Sequence, residues 1–543
     1  MTLGADPDIW DHEADVVVVG GGAAGFAAAL GAVDAGASAI VVERAAEIGG
    51  TTAKSGGQFW IPNNRLMREH GVEDPRPELL RYMARLAYPH LYDPAGRTLG
   101  LPEGAYELLC AFYDGAAEAL DRLSEMGAVF PVLDMATPSY HADLDEDVAP
   151  YGRSLMPAGK PKDRSEGTGG EVLVNGMEVA ARKRDVPVLL EHRVAAVVRN
   201  ELGEVIGVEA QVRHRTVLIR ARRGIVFCSG GFLHDPDLRT QFLRGPIFGG
   251  CAADTATGDF VRIGIELSAQ LGNMSNAWWN QVVLEIALRT PSTIRDVWMP
   301  FGDSMIQVNR YGRRVVNEKM PYNERAQVHF HWNPSAREYS NLLLFMIYDE
   351  DVASSPSTSS FREHVPMPGE LVQHVISGDT WAELARNIDA RLASMASKTG
   401  GVRLAPDFDV NLRGTVDRFN GFATAGKDED FARGETPIQM AWGACDRDGL
   451  NPTMHPFRSE GPYHCIILGG GSLDTKGGPR INARGQVIDV SGDPIPGLYG
   501  AGNCIASPAG QAYWAAGGTL GPALTFGFIA GRNAARESEK GTE

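Results

Sequence analysis

Short apolar runs alternate with glycine-rich breaks along this chain, and the clearest patterns lie near its two ends. Asp15-Val16-Val17-Val18-Val19 is a β-branched run of strand length. Gly20, Gly21, Gly22 and Gly25 interrupt it, and residues 26–35 then show an Ala/Leu face that predicts a helix. Gly36 ends that helix, and residues 39–42 (Ala-Ile-Val-Val) predict a second strand that stops at Glu43. Apolar strands joined through a helix predict a buried parallel pair. Residues 194–198 and 205–212 read as a further strand pair, followed by the apolar run Ile225-Val226-Phe227-Cys228. Near the C-terminus, residues 523–530 predict a helix with Pro522 close to its first turn. No apolar run approaches the ~20 residues of a membrane-spanning helix.

The first of these patterns carries chemistry. Gly20-Gly21-Gly22-Ala23-Ala24-Gly25 fits G-x-G-x-x-G and stands between a strand and a helix. Glycines there let the backbone approach a pyrophosphate, and the helix N-terminus adds partial positive charge. Glu43 follows Gly25 by eighteen residues, close to the spacing expected of the acid that receives ribose hydroxyls. Together, the strand, glycine turn, helix, strand and acid read as a dinucleotide site. Small residues and hydroxyls continue through Gly50, Thr51, Thr52, Ser55, Gly56 and Gly57, as suits a backbone lying along an extended cofactor.

Composition changes the picture only by exclusion. At 543 residues the chain exceeds one ordinary core, and 43% hydrophobic with 22% charged residues is the balance of a soluble globular protein. A net charge of −17 disfavours a nucleic-acid partner and assigns any phosphate to backbone N–H groups. Residues 1–13 are acidic and polar, without the pattern of a secretory signal, and the six cysteines are scattered with no C-x-x-C. These features predict a cytoplasmic protein with reduced thiols and no metal cluster. Residues 134–169 and 351–369 read as long loops.

The motifs resemble those of the FAD-binding flavoproteins of the fumarate reductase and succinate dehydrogenase superfamily. Besides the N-terminal run, Gly224-Ile225-Val226-Phe227-Cys228-Ser229-Gly230-Gly231-Phe232, Thr257-Gly258-Asp259 and Gly497-Leu498-Tyr499-Gly500-Ala501-Gly502-Asn503 match that pattern. The resemblance implies FAD contacts at Gly20, Gly22, Ala24, Gly25, Glu43, Arg44, Gly50, Thr51, Thr52, Ser55, Gly56, Gly57, Asp259, Gly502, Asn503 and Leu520, with Val194 holding the adenine through its backbone. No histidine lies in residues 49–57, where some relatives link FAD covalently, so non-covalent FAD is expected. The implied fold is α/β: a discontinuous Rossmann-like FAD-binding domain (residues 1–275 and 455–543) with an inserted α+β catalytic domain (276–454).

The inserted stretch bears on substrate. Trp278, Trp279, Trp298, Trp332, Trp381 and Trp442 fall within it, and Trp278-Trp279 stands at the expected domain border, where pockets form preferentially. Dicarboxylate reductases of the superfamily place arginines where this chain has Pro321-Tyr322 and Thr519. Without those clamps a buried dianion would be unpaired, so a neutral substrate is expected. The replacements resemble the 3-ketosteroid Δ1-dehydrogenases. That likeness implies Tyr322, in Asn317-Glu318-Lys319-Met320-Pro321-Tyr322, as the base that removes an α-proton. It implies Tyr513 and the Gly517 N–H as the clamp on the ketone oxygen, and Tyr140, with Tyr151 as the alternative, in support of the base. The expected activity is FAD-dependent α,β-dehydrogenation of a cyclic ketone, steroid or smaller, with the electron acceptor open. Trp514 stands where the steroid enzymes have a smaller residue and would make the pocket smaller or differently shaped. The alternatives are an ene-reductase, which runs the reverse of this dehydrogenation, and a flavoprotein that only binds a ligand.

Overall fold

The computed structural model describes residues 9–161, 166–293, 296–357 and 359–540. Residues 1–8 of the acidic opening and 162–165 of the first long loop therefore lie outside the described residues. The chain divides into two compact units. Met1–Leu243, Ala252–Trp278 and Asp474–Glu543 form the first; Arg244–Cys251 and Trp279–Leu473 form the second.

In the first unit the β-branched runs become the centre of an eight-stranded sheet. His12–Val19 lies between Ala39–Val42 and Arg215–Phe227, parallel to both. Val16, Val17 and Val18 are completely buried, as two covered faces require. The strand begins earlier than the valines because His12 and Glu13 pair with Ile219 and Arg220 of the long neighbour. Pro494–Gly500 runs parallel to the far side of Arg215–Phe227, so the C-terminal segment returns to the sheet that the N-terminus started. Arg193–Arg199 and Val205–Val212 form the expected antiparallel pair. The C-terminal helix is longer than its apolar run: it spans Leu520–Ala534, with Pro522 in its first turn, where a missing N–H costs no helical bond.

The stretch 134–169 is not one loop. Its Ser154–Pro157 pairs with Phe59–Trp60 and with Pro131–Leu133 in a small antiparallel sheet. Within 351–369, helix Glu350–Ala353 and a short 3-10 turn at Ser360–Arg362 also interrupt the expected loop.

The second unit is built on the strand Tyr463–Thr475. Leu343–Asp349 pairs antiparallel with it from Leu343 opposite Gly469 to Asp349 opposite Tyr463, and Met305–Val308 pairs with Leu343–Asp349 in turn. Alternate side chains divide between two faces. Leu343, Phe345, Ile347, Cys465 and Ile467 join Leu384, Ile388, Leu412 and Val416 from the helices Trp381–Ser394 and Phe408–Ala425. Leu344, Met346, Tyr348, Ile466 and Leu468 form the opposite core. This pairing corrects the expected return border at 455, since the strand belongs to the second unit as far as Leu473. The excursion at Arg244–Cys251, whose Gly249 and Gly250 pair with Gly471 and Ser472, has no counterpart in the sequence reading. Among the described residues no helix is long and apolar enough to cross a membrane, and all six cysteines are free.

Candidate active site

The dinucleotide end is assembled within the first unit. Gly20 leaves the strand at φ +114°, and Gly25 closes the turn so tightly that a Cβ there would lie 1.8 Å from the Gly20 carbonyl. Only glycine fits such an approach. Gly22 caps helix Ala23–Asp34, with Ala24 and Gly25 in its first turn. Glu43, at the end of its strand and 7% exposed, accepts the Gly21 N–H at 2.7 Å and the Ala45 N–H at 2.8 Å, one on each carboxylate oxygen. Each oxygen keeps a further lone pair, as an acid receiving ribose hydroxyls needs.

Gly50, Thr51 and Thr52 lie on helix Gly50–Lys54, whose hydroxyls tie loops together. Thr52 Oγ1 accepts the Ala23 N–H at 3.1 Å, and Thr51 Oγ1 accepts the Ala253 N–H at 3.0 Å. Ser55 Oγ accepts the Gly57 N–H at 3.1 Å beyond Gly56. Arg44 reaches Thr257 Oγ1 at 2.6 Å and Asp259 at 3.2 Å, and Asp259 also pairs with Arg193 at 2.7 Å. Arg44 and Asp259 are thereby brought together as an ion pair beside Val194, which lies in its strand opposite Ala210. The Gly turn, the buried acid and the hydroxyl-rich helix fit FAD by their chemistry: backbone N–H groups for the pyrophosphate and a carboxylate for the ribose.

The same unit also builds an aromatic site. Tyr140 and Tyr513 stack with ring centroids 5.4 Å apart, and Trp278 meets Tyr513 edge-on at 5.0 Å. All three are nearly fully buried. Tyr140 reaches this place because its N–H donates to the Trp514 carbonyl at 2.9 Å. Tyr151 is half-buried, and the structure stacks Tyr140 rather than Tyr151 on Tyr513. Thr519 Oγ1 donates to the Tyr513 hydroxyl at 3.2 Å.

Gly517 sits at φ +89°, and a Cβ there would lie 2.6 Å from the Phe59 backbone. Its carbonyl accepts the Trp60 N–H at 3.0 Å. A small recess is lined by Trp278, Gly502, Asn503, Thr519 and Ala523 among others. It lies where the C-terminal helix begins at Leu520, with first-turn N–H groups that a helix cannot satisfy itself.

Trp514 does not narrow a pocket as expected from its bulk. Its ring is fully buried against Trp60 at 5.5 Å and Phe112 at 5.7 Å, with Nε1 donating to the Met83 carbonyl.

Tyr322 belongs to the second unit. It opens helix Tyr322–Ala326 directly after Pro321, is 4% exposed, and meets Trp298 edge-on at 5.1 Å. Arg325 of the same helix is completely buried, donating to Gln281 Oε1 at 2.7 Å and to the Met320 carbonyl at 2.8 Å. Just before it, Glu318 pairs with Arg314 at 2.8 Å and Arg433 at 3.2 Å. Burial alone would raise the Glu318 carboxyl, but the two guanidiniums outweigh it and hold it down at about 2. Burial, aided by Arg433, pushes the neighbouring Lys319 ammonium down to about 7. The N-E-x-x-P-Y stretch is thus anchored at Glu318 and Lys319. Trp278 and Trp279, adjacent in sequence, part here: Trp279 packs in the second unit on Phe330 at 4.7 Å.

Several supporting residues escaped the sequence reading. Arg153, fully buried, binds Asp74 at 2.8 Å and Asp147 at 2.6 Å and donates to Ser139 Oγ at 3.2 Å, fixing the loop that carries Tyr140. Asp474 accepts the Gly231 N–H at 3.0 Å and Asn503 Nδ2 at 3.1 Å, and Asn503 Oδ1 accepts Trp278 Nε1 at 3.0 Å. Burial raises the Asp474 carboxyl to about 6 against those donors. An acid and a lysine closing a thirteen-residue apolar strand were the visible signal, since charges in such a place need partners.

The family model described as "FAD binding domain" matches residues 15–520. The chain is 30% identical to 4-oxocyclohexanecarboxylate 2-dehydrogenase of Sinomonas cyclohexanicum, covering 96% of this chain and 93% of that protein. It is also 30% identical to 3-oxosteroid 1-dehydrogenase of Mycolicibacterium smegmatis, covering 96% of each. The crystal structure of 3-ketosteroid Δ1-dehydrogenase from Sterolibacterium denitrificans with 1,4-androstadiene-3,17-dione superposes with a TM-score of 0.80 at 26% identity, covering 96% of this chain and 99% of that one. With a glycine turn, a buried acid beside it and a C-terminal return strand in one sheet, this chain belongs to the FAD-binding-domain family and is an FAD-dependent oxidoreductase of its 3-ketosteroid dehydrogenase-like branch.

Proposed function

We propose that this enzyme introduces a C=C bond α,β to the carbonyl of a neutral cyclic ketone. The observation that carries the reading is the buried cluster of Tyr513, Tyr140 and Trp278 with Gly517 in a positive-φ turn and Thr519, not arginine, beside the Tyr513 hydroxyl. Such a cluster offers a hydroxyl and a backbone N–H to one oxygen and apolar ring faces to a carbon skeleton. Relatives named for oxosteroids support a neutral cyclic ketone, with a 3-oxosteroid as the leading case; the relative named for an oxocyclohexanecarboxylate supports the cyclic ketone but not its neutrality.

In this reading the Tyr513 hydroxyl and the Gly517 N–H donate to the ketone oxygen and stabilise the enolate as it forms. Such donors contribute roughly 3–4 kcal/mol each. Tyr322 takes the α-proton, and Tyr140 supports its phenolate; a tyrosine at its ordinary ~10 is a poor base at neutral pH without such help. Buried aromatic walls exclude water from the enolate. When bound, non-covalent FAD supplies the two-electron acceptor for the hydride that leaves the β-carbon. Glu43, the Gly20–Gly25 turn and the first turn at Leu520 would hold it. The enzyme is expected to work in the cytoplasm with a separate electron acceptor.

The test is an anaerobic screen of the FAD-loaded enzyme with 3-oxosteroids, cyclohexanones, succinate and fumarate, following loss of flavin absorbance. A cyclic ketone should bleach the flavin and succinate should not. Tyr322→Phe should slow bleaching by about 10²–10⁴-fold with FAD still bound, the usual weight of a general base. Fumarate reduction, or bleaching at wild-type rate by Tyr322→Phe, overturns the proposal. Faster reduction of an enone by reduced enzyme than oxidation of the ketone would assign the reverse direction.

A further inference from the structure

We infer that Lys476 is the positioning residue that seats the Tyr513 clamp. Its side chain is completely buried, yet it touches both structures that flank Tyr513. Nζ donates to the Ala512 carbonyl at 2.5 Å and approaches the Gly510 carbonyl at 3.4 Å, so the ammonium grips the backbone immediately before Tyr513. The same Nζ stands 4.0 Å from the centroid of the Trp278 ring, and that ring meets Tyr513 edge-on. A cation over an indole face is attracted by the ring quadrupole, more strongly when desolvated. One buried charge therefore fixes the backbone on one side of the tyrosine and the aromatic wall on the other.

Lys476 is itself held by its own backbone. Its N–H donates to the Asn276 carbonyl at 3.1 Å, and its carbonyl accepts the Ser507 N–H at 2.9 Å. Trp278 is held at its far edge by Asn503, which Asp474 holds in turn. The segments 273–278, 474–476 and 503–513 thus form one polar frame within the first unit, and in it the Lys476 ammonium reaches the Ala512 and Gly510 carbonyls just before Tyr513. A bulk packing role would not need an ammonium there. Burying a charge in this place is costly unless its acceptors are part of the structure being defined.

This inference rests on the proposed role of Tyr513, and its test separates the two. Lys476→Met keeps the linear stem and removes the charge. With full FAD content, kcat for the ketone should fall by about 10²-fold, the scale of a 1 Å misplacement, while KM changes little. In a Tyr513→Phe background the same substitution should cost almost nothing more, because the hydroxyl it positions is gone. Lys476→Arg should recover part of the loss by restoring a cation.

Independently of any ketone, hydrogen exchange of the Gln511 and Ala512 amides, bonded to the Ala87 and Ala509 carbonyls, should quicken in Lys476→Met. Losses that multiply fully with Tyr513→Phe, or unchanged exchange at these amides, overturn the inference. If Lys476→Met does not retain FAD, the Lys476→Arg and Lys476→Gln exchange patterns decide in the same way. Absence of turnover with any ketone refutes the proposed function, and the exchange result still judges Lys476.

Discussion

Replacing Lys319 by methionine should make the protein less sensitive to pH between 7 and 9. The Lys319 ammonium is completely buried, donating to the Pro300 carbonyl at 2.7 Å with Arg433 close by. Burial first, and Arg433 second, lower it to about 7 from an ordinary 10.5. Because the unfolded chain binds this proton more tightly, the folded state is penalised whenever the unfolded lysine is charged. The penalty is absent above 10.5, grows as pH falls and levels off below 7. Linkage between those two values makes it about 4 kcal/mol at pH 7 and about 2 kcal/mol at pH 9. Wild-type stability should therefore rise with pH through this window by about 2 kcal/mol from this group, while Lys319→Met lacks the term.

Removing the ammonium also leaves the Pro300 carbonyl without its donor, but that cost does not depend on pH. The difference in slope isolates the titration. Calorimetric Tm values for both proteins at pH 7, 8 and 9 would measure it. The variant's Tm relative to wild type should fall by about 4–8 °C from pH 7 to pH 9, taking a unit of this size at 2–4 °C per kcal/mol. A constant Tm difference across the window would show that Lys319 stays charged in the folded protein and would refute the reasoning.

Three further outcomes follow from the described contacts. Glu43→Ala should weaken FAD binding by about 10–100-fold, the worth of a charged acceptor, read by fluorescence of released flavin on dilution. Arg153→Met leaves Asp74 and Asp147 buried without their cation and should destabilise the first unit by about 3–5 kcal/mol in denaturant titrations, with loss of Tyr140 ordering. Acid precipitation of the loaded enzyme should leave all flavin in the supernatant, since no histidine stands in residues 49–57; yellow precipitate would show a covalent link.

Local patterns made much of the first unit legible. Four consecutive valines can hardly be other than a buried strand, and Gly25 admits no side chain where the turn closes, so the glycine turn, Glu43 and the first helix stand where the pattern puts them. The return of residues 497–503 to the same sheet was readable only through its likeness to a known motif, because parallel pairing joins residues hundreds apart. The border at 455 failed for a related reason. An apolar strand looks the same whichever sheet it joins, and pairing with Leu343–Asp349 assigned Tyr463–Leu473 to the second unit.

The sequence alone determined the nucleotide end, through residue identity and short spacing, and its likeness to known motifs pointed to the absence of arginine at positions 322 and 519 and to the candidate tyrosines. Tertiary structure decided how those residues are used. It stacked Tyr140 rather than Tyr151 on Tyr513, turned the Trp514 ring into the core, and parted Trp278 from Trp279. It also gathered Lys476, Asn503 and Asp474 around Trp278. Side-chain direction and buried-charge pairing are set by neighbours distant in the chain, and no local pattern of hydrophobic and polar positions encodes them.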